Sequence, residues 1–169
     1  MEKTKAIFPV LWPIIVIIVF IVACANFNKP KQEASAVESL LRDLEAAFAS
    51  HDYGKILPLY TEDCIVETAG GIRIQGKTAL EDSLKESFAS FPDLKMTAKA
   101  HLISGNRVAS ELAMIGTNTG STRKLPATGR YIALPIASFL EIEAGKIKRQ
   151  TIYFNMVTML KQLGIRRLP

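Results

Sequence analysis

The side chains in this chain that could do chemistry are mostly carboxylates, phenols and amides on β-prone segments. Glu67, Glu111 and Glu141 each fall on a predicted strand, and Glu111 has the most apolar surroundings, with Ala109, Leu112, Ala113 and Met114 beside it. A carboxyl turned inward there would be desolvated, its pKa would rise, and it could exchange a proton with a bound molecule at neutral pH. Turned outward, it would pair with a Lys or Arg across the sheet instead. Period-two parity alone does not choose between the two faces. Tyr60, Tyr131 and Tyr153 can offer hydroxyls, and Gln150 an amide, to a pocket lined by those strands. Asn155 stands where a strand runs into a helix. Its side-chain oxygen can accept from the free amides of the first turn, but an amide cannot exchange protons near neutral pH.

Other chemistries lack their residues. His51 and His101 are isolated and neither CxxC nor HExxH occurs, so no metal-ligand spacing exists. His51 reads as a cation near a helix C-terminus, and His101 falls with the polar set of an alternating strand, on the surface. Cys64 lies in an apolar strand with no base beside it, the setting of a buried, inert thiol. There is no glycine-rich phosphate loop. The formal charge of +5 is spread along the 169 residues without a Lys/Arg block, which argues against nucleic-acid binding and fits a solvated surface with some affinity for anionic lipid.

The elements that position these groups follow from hydrophobic spacing. Val37, Leu40, Leu41, Leu44, Ala47 and Phe48 recur at helical intervals after Ser35, which forms a capping box with Glu38. Residues 55–60 predict a short second helix, and residues 64–67 and 72–75 a hairpin. Leu80, Leu84 and Phe88 mark a third helix that ends before Pro92. From Leu94 the period becomes two. Leu94, Met96, Ala98, Ala100 and Leu102 alternate with Lys95, Thr97, Lys99 and His101. Strands over 107–117, 130–143 and 146–154 follow, with Pro135 arguing for an edge or bulge in the second. A helix from Met156 then closes at Gly164. Helices gathered against such a meander predict an α+β fold, a curved antiparallel sheet wrapped around N-terminal helices with one cone-shaped apolar pocket.

The N-terminus carries a different signal. Lysines in the first five residues precede an almost unbroken apolar run over residues 6–22, ending in Ile21-Val22-Ala23-Cys24. That ending resembles the lipobox of bacterial lipoproteins, which implies a signal peptide over 1–23 and lipidation of Cys24. The alternative is an uncleaved signal anchor. Either way the expected location is a membrane surface in the cell envelope, facing outside the cytoplasm. Residues 24–34 are polar, contain Pro30 and read as a tether, which leaves residues 35–166 as the domain.

The domain also resembles a known family. Phe91-Pro92-Asp93-Leu94, Ser104-Gly105-Asn106-Arg107-Val108 and Gly116-Thr117-Asn118-Thr119-Gly120 carry the first half of the resemblance. Leu125-Pro126-Ala127-Thr128-Gly129-Arg130, Gly145-Lys146-Ile147 and Gln162-Leu163-Gly164 carry the rest. Together they are similar to the SnoaL-like polyketide cyclases, of the nuclear-transport-factor-2-like, or cystatin-like, fold. The resemblance implies ring closure by intramolecular aldol chemistry without metal or cofactor, with an Asp at the strand-to-helix junction as general acid/base. The matching position here is Asn155, and Gln150 and Thr151 stand where the family commonly has His and Trp.

Three functions are therefore expected. The first is a membrane-tethered domain that binds a small apolar or carbonyl-containing molecule, with the catalytic Asp replaced by Asn155. The second is an active ester cyclase, isomerase or hydrolase that uses a relocated acid such as Glu111. The third is an envelope interaction module, with a homodimer formed through the open sheet face.

Overall fold

The computed structural model describes residues 34–165, apart from residues 69, 123 and 124. The segment expected to be a signal peptide or anchor (residues 1–23), Cys24 and the expected tether up to residue 33 lie outside the described residues. Among the described residues no helix is long and apolar enough to cross a membrane.

The first helix, α1, covers residues 34–49. Its spacing turns Val37, Leu40, Leu41 and Ala47 to one side, all buried, with Leu44 and Phe48 half-buried beside them. Each such Leu contributes roughly 1.5–3 kcal/mol relative to exposure. His51, at the end of this helix, stacks on Phe88 with ring centroids 4.4 Å apart and donates from Nε2 to the Leu94 carbonyl at 2.6 Å. It fastens α1 to the elements that follow.

Those elements are α2 (Tyr53–Ile56), a 3₁₀ turn (Leu57–Leu59), β1 (Tyr60–Thr68), β2 (Arg73–Gln75) and α3 (Lys77–Ser90). The meander is β3 (Lys95–Ser104), β4 (Arg107–Thr117), β5 (Tyr131–Glu143) and β6 (Lys146–Phe154), closed by α4 (Met156–Leu163). The six strands form one curved sheet in the order β2-β1-β6-β5-β4-β3. All neighbours run antiparallel except β1 and β6, which pair in parallel, so the sheet is mixed at that one junction. The β5–β6 ladder begins only at Ile136↔Phe154, which leaves Pro135 on a stretch with no β6 partner, where a missing N–H is tolerated.

One β-bulge rearranges the sheet face. Ala98 pairs with Leu112 and Ala100 with Glu111, so Lys99 is an extra residue in β3. An inserted residue inverts the alternation beyond it. Met96 and Ala98 face the helices, but after the bulge it is His101 and Ile103 that do so, and Leu102 stands 76% exposed on the outer face. The surface position expected for His101 is therefore corrected. The strict period-two count fails at Lys99.

Two apolar clusters hold the domain together. The larger joins α1, β1 and α3 to Val108, Leu140, Ile142 and Ile147 of the sheet. The smaller joins Phe91 and Leu94 to Ile132, Leu134 and Leu163, and so seats α4 against the far end of β5.

Candidate functional site

The inner sheet face opposite α1 carries a line of polar side chains in an otherwise apolar wall. It starts at Tyr60, the first residue of β1, which is buried. Burial, and secondarily the nearby Cys64, pushes its phenol well above the ordinary value, so the group stays protonated and donates. Its hydroxyl lies 2.6 Å from Gln150 Oε1, and Gln150 Nε2 lies 3.1 Å from Ser138 Oγ. On the other side, Ser110 Oγ lies 2.8 Å from His101 Nδ1, and His101 Nε2 lies 2.9 Å from Glu45 Oε1.

Sheet register explains why these groups meet. His101, Ser110 and Ser138 are successive cross-strand neighbours on β3, β4 and β5, so they form one row on the inner face. Gln150 is the register partner of Leu140, one row away, and its amide reaches diagonally to Ser138. Glu45 comes from α1, four residues after Leu41, on the border of that helix's apolar face.

Between this line and α1 lies a small cavity of about 50 Å³, walled by Leu41, Leu44, Phe48, Met96, Leu112 and Leu140 together with the polar groups. It adjoins a wider open cleft of about 500 Å³ between α1 and β3, whose lining includes Glu38, Arg42, Ala98 and Lys99. Glu45, His101, Leu41 and Ala98 line both, so they stand where the cleft meets the cavity. Apolar walls with a few convergent polar groups are the usual construction of a small-molecule site.

The residues expected from sequence divide between the two faces. Tyr60 and Gln150 line the cavity. Tyr131 and Tyr153 do not. They are 55% and 47% exposed, on the outward-facing alternation of β5 and β6, and Tyr153 meets Phe139 there edge-to-face at 5.8 Å. Glu111 also faces outward and is paired with Lys99 at 3.1 Å across the sheet, which removes it as a relocated acid. Glu67 pairs with Arg73 and Arg149, and Glu141 with Arg107 and Arg149. The strand carboxylates thus neutralise outer-face cations.

Asn155 sits at the strand-to-helix junction, exposed, with φ −85° and ψ 98°. Its Oδ1 accepts from Thr158 N at 3.0 Å, and Gly164 ends the helix in the left-handed region at φ 70°. The residue caps α4 and is not among those lining the cavity. Cys64 is a buried free thiol whose pKa is raised by that burial, which keeps it protonated and unreactive. Among the described residues no cluster of three or more His, Cys, Asp or Glu side chains is placed to hold a metal ion.

Sequence reasoning missed Glu45, His101, Ser110 and Ser138. For Glu45 the signal was its i+4 relation to Leu41. For His101 it was masked by the bulge.

Comparison with known proteins places this architecture. The family described as SnoaL-like polyketide cyclase matches residues 38–163. Among solved structures, a SnoaL-like polyketide cyclase candidate from Jannaschia sp. CCS1 is 14% identical, with a TM-score of 0.71 over 79% of this chain and 94% of its own. IdmH, a polyketide cyclase candidate from Streptomyces antibioticus, is 23% identical, with a TM-score of 0.65 over 76% and 98%. A protein of ketosteroid-isomerase-like fold from Catenulispora acidiphila, solved in complex with trimethylamine, is 18% identical, with a TM-score of 0.64 over 75% and 92%. At these identities the likeness concerns the fold. Comparison with the curated proteins finds no match.

Proposed function

The chain belongs to the SnoaL-like polyketide cyclase family, and we propose that its domain binds a small, largely apolar, carbonyl-containing molecule between α1 and the inner sheet face. The observation that carries this reading is the placement of two hydrogen-bonded groups, Tyr60–Gln150–Ser138 and Ser110–His101, side by side along an apolar wall. Apolar walls supply affinity for a hydrocarbon skeleton, and a short row of hydroxyls and an amide supplies orientation for an oxygen. Position 155 takes no part in this. Asn155 keeps the structural task of capping α4, and its amide cannot serve as the proton-exchanging acid that the family's chemistry calls for at that junction.

Extraction of the purified full-length protein with organic solvent, followed by mass spectrometry, tests the reading. A single stoichiometric small compound bearing a carbonyl supports it. A stoichiometric compound with no oxygen acceptor for the polar line counts against it.

The domain is further proposed to be held at a membrane surface outside the cytoplasm. Support comes from the apolar run before Ile21-Val22-Ala23-Cys24 and the polar tether behind it. Intact mass of the membrane-extracted protein decides, since acyl chains on an N-terminal Cys24 fit a lipoprotein and an unmodified residue 1 fits the uncleaved anchor.

A second reading, a homodimer formed sheet to sheet, has its own support. Leu102, Ala109 and Phe139 are register neighbours on the outer face, with Tyr153 against Phe139. Leu102 is 76% exposed, and Phe139 and Tyr153 are each about half exposed. Analytical ultracentrifugation of wild type against Leu102→Glu tests it. An unchanged monomer in both rules the dimer out.

A further inference from the structure

We propose that His101, oriented by Glu45, is a proton-transfer residue of this cavity, acting on a carbonyl compound whose oxygen is received by the Ser138 hydroxyl. The inference rests on the small-molecule reading above and assigns that site its chemistry.

The hydrogen-bond directions lead to it. An ionised carboxylate only accepts, so the 2.9 Å contact with Glu45 requires a proton on His101 Nε2. In the neutral ring Nδ1 then carries the lone pair, and the Ser110 hydroxyl, 2.8 Å away, donates to it. The basic nitrogen therefore points along the inner sheet face at Ser110, while the carboxylate stands behind the ring. This is the arrangement of a general base held in one tautomer by an orienting carboxylate.

The other half of the line is directional as well. Tyr60 donates to Gln150 Oε1, which turns the amide nitrogen toward Ser138 Oγ. Ser138 is thus an acceptor from Gln150, and its own proton has no protein acceptor assigned among the described residues. Ser138 is also the direct register neighbour of Ser110. A base and a hydroxyl with a proton to give stand two positions apart in one row, beside a wall of Leu41, Leu44, Met96 and Leu112. In an apolar setting such preoriented dipoles are worth more than in water.

The step this geometry serves is removal of a proton from carbon next to a carbonyl. As the ligand enters, the Ser110 side chain rotates about its Cα–Cβ bond and takes its oxygen off Nδ1. The C–H bond breaks and its proton passes to Nδ1. The electron pair moves toward the carbonyl oxygen, giving an enolate that accepts the Ser138 hydrogen. Glu45 offsets the charge of the resulting imidazolium. Return of the proton from Nδ1 to carbon restores the neutral ring, so the balance closes without a co-reactant.

The test uses the full-length protein in detergent with cyclohexanone in D₂O. Binding is read by saturation-transfer NMR and α-proton exchange by loss of the α-CH₂ signal. Exchange faster than in matched buffer is expected, falling about 10²-fold in His101→Gln, which keeps hydrogen-bonding groups at that position. His101→Ala falls similarly and regains exchange on addition of free imidazole, which a purely structural histidine would not show. Glu45→Gln lowers the rate while leaving cyclohexanone binding in place, and Ser110→Ala, by freeing Nδ1, raises it a few-fold. Binding without catalysed exchange, or wild-type exchange in His101→Gln, overturns the proposal and leaves the binding reading standing. Absence of binding overturns both. Loss of exchange in Ser110→Ala overturns it in favour of Ser110 as the reacting group.

Discussion

Ser110 and Ser138 stand directly opposite each other on β4 and β5, and each is tied to a different half of the cavity's polar groups. Ser110 bonds His101 at 2.8 Å and Ser138 bonds Gln150 at 3.1 Å. The point where the two chains of hydrogen bonds meet is therefore a pair of small hydroxyls on the sheet, with apolar side chains around them. In the proposed reading, the ligand oxygen would sit at that junction.

Removing the buried phenol tests how tightly this line is built. Tyr60→Phe leaves Gln150 Oε1 without its donor in a buried setting, and a stability loss of roughly 1–3 kcal/mol is expected. Urea denaturation measures it. A variant as stable as wild type would show that the Gln150 amide is satisfied elsewhere.

Position 155 separates the structural task from the chemical one. Asn155→Asp keeps an N-cap acceptor, so stability should stay within about 0.5 kcal/mol of wild type, whereas Asn155→Ala should lose about 1 kcal/mol. Since the residue is exposed and does not line the cavity, Asn155→Asp should leave the rate of α-proton exchange at its wild-type value. A clear increase over wild type would return the chemistry to the strand-to-helix junction.

Asp93 gives the fold an acid-sensitive tie. Its carboxylate accepts from Thr117 N at 2.6 Å and from Thr117 Oγ1 at 2.8 Å, and these bonds, the backbone one foremost, hold its pKa below the ordinary value. A group depressed on folding adds stability that is fully present above its unfolded pKa and is lost as pH falls through the folded one. The loss therefore begins near pH 4 and is completed at lower pH. Asp93→Asn should flatten the acid limb of a melting-temperature profile in that window. Parallel acid limbs would contradict the assignment.

Gly120 is packed too closely for any side chain. A Cβ there would lie 1.6 Å from the Ala89 carbonyl oxygen, and Gly120 N itself donates to the Ser90 carbonyl. Gly120→Ala must push the loop off the end of α3, at a cost of about 2 kcal/mol or more. Thermal unfolding reads it directly, and an unshifted midpoint would mean that the loop yields freely.

Much of this architecture can be read from residue spacing. The strand over 107–117, the cap at Asn155 and the left-handed stop at Gly164 are local features, governed by periodicity and by the hydrogen-bonding habits of single residues. The face assignments are not local. One extra residue, Lys99, moves His101 from the solvent side to the cavity, and no composition rule marks that bulge. Tyr131 and Tyr153 look like pocket residues by type, yet they fall on the outward alternation of strands whose other face carries Ile132, Leu134, Ile136, Ser138 and Leu140 on β5 and Gln150 on β6. The parallel pairing of β1 with β6 joins residues more than eighty apart, so Tyr60 and Gln150 become partners only once the sheet is assembled. Glu45 is the same kind of case, a helix residue completing a sheet-borne group.

The central claim is that the space between α1 and the inner sheet face holds the ligand. Ala98 lines both the cavity and the cleft, so a large side chain there closes the junction without removing any hydrogen-bonding group of the polar line. The most direct measurement is saturation-transfer NMR of cyclohexanone on the full-length protein, wild type against Ala98→Phe, with melting curves recorded to confirm that both are folded. The account predicts clear transfer to the ketone in wild type and its loss in the folded Ala98→Phe protein. Equal transfer in both would place the ligand elsewhere and contradict the account.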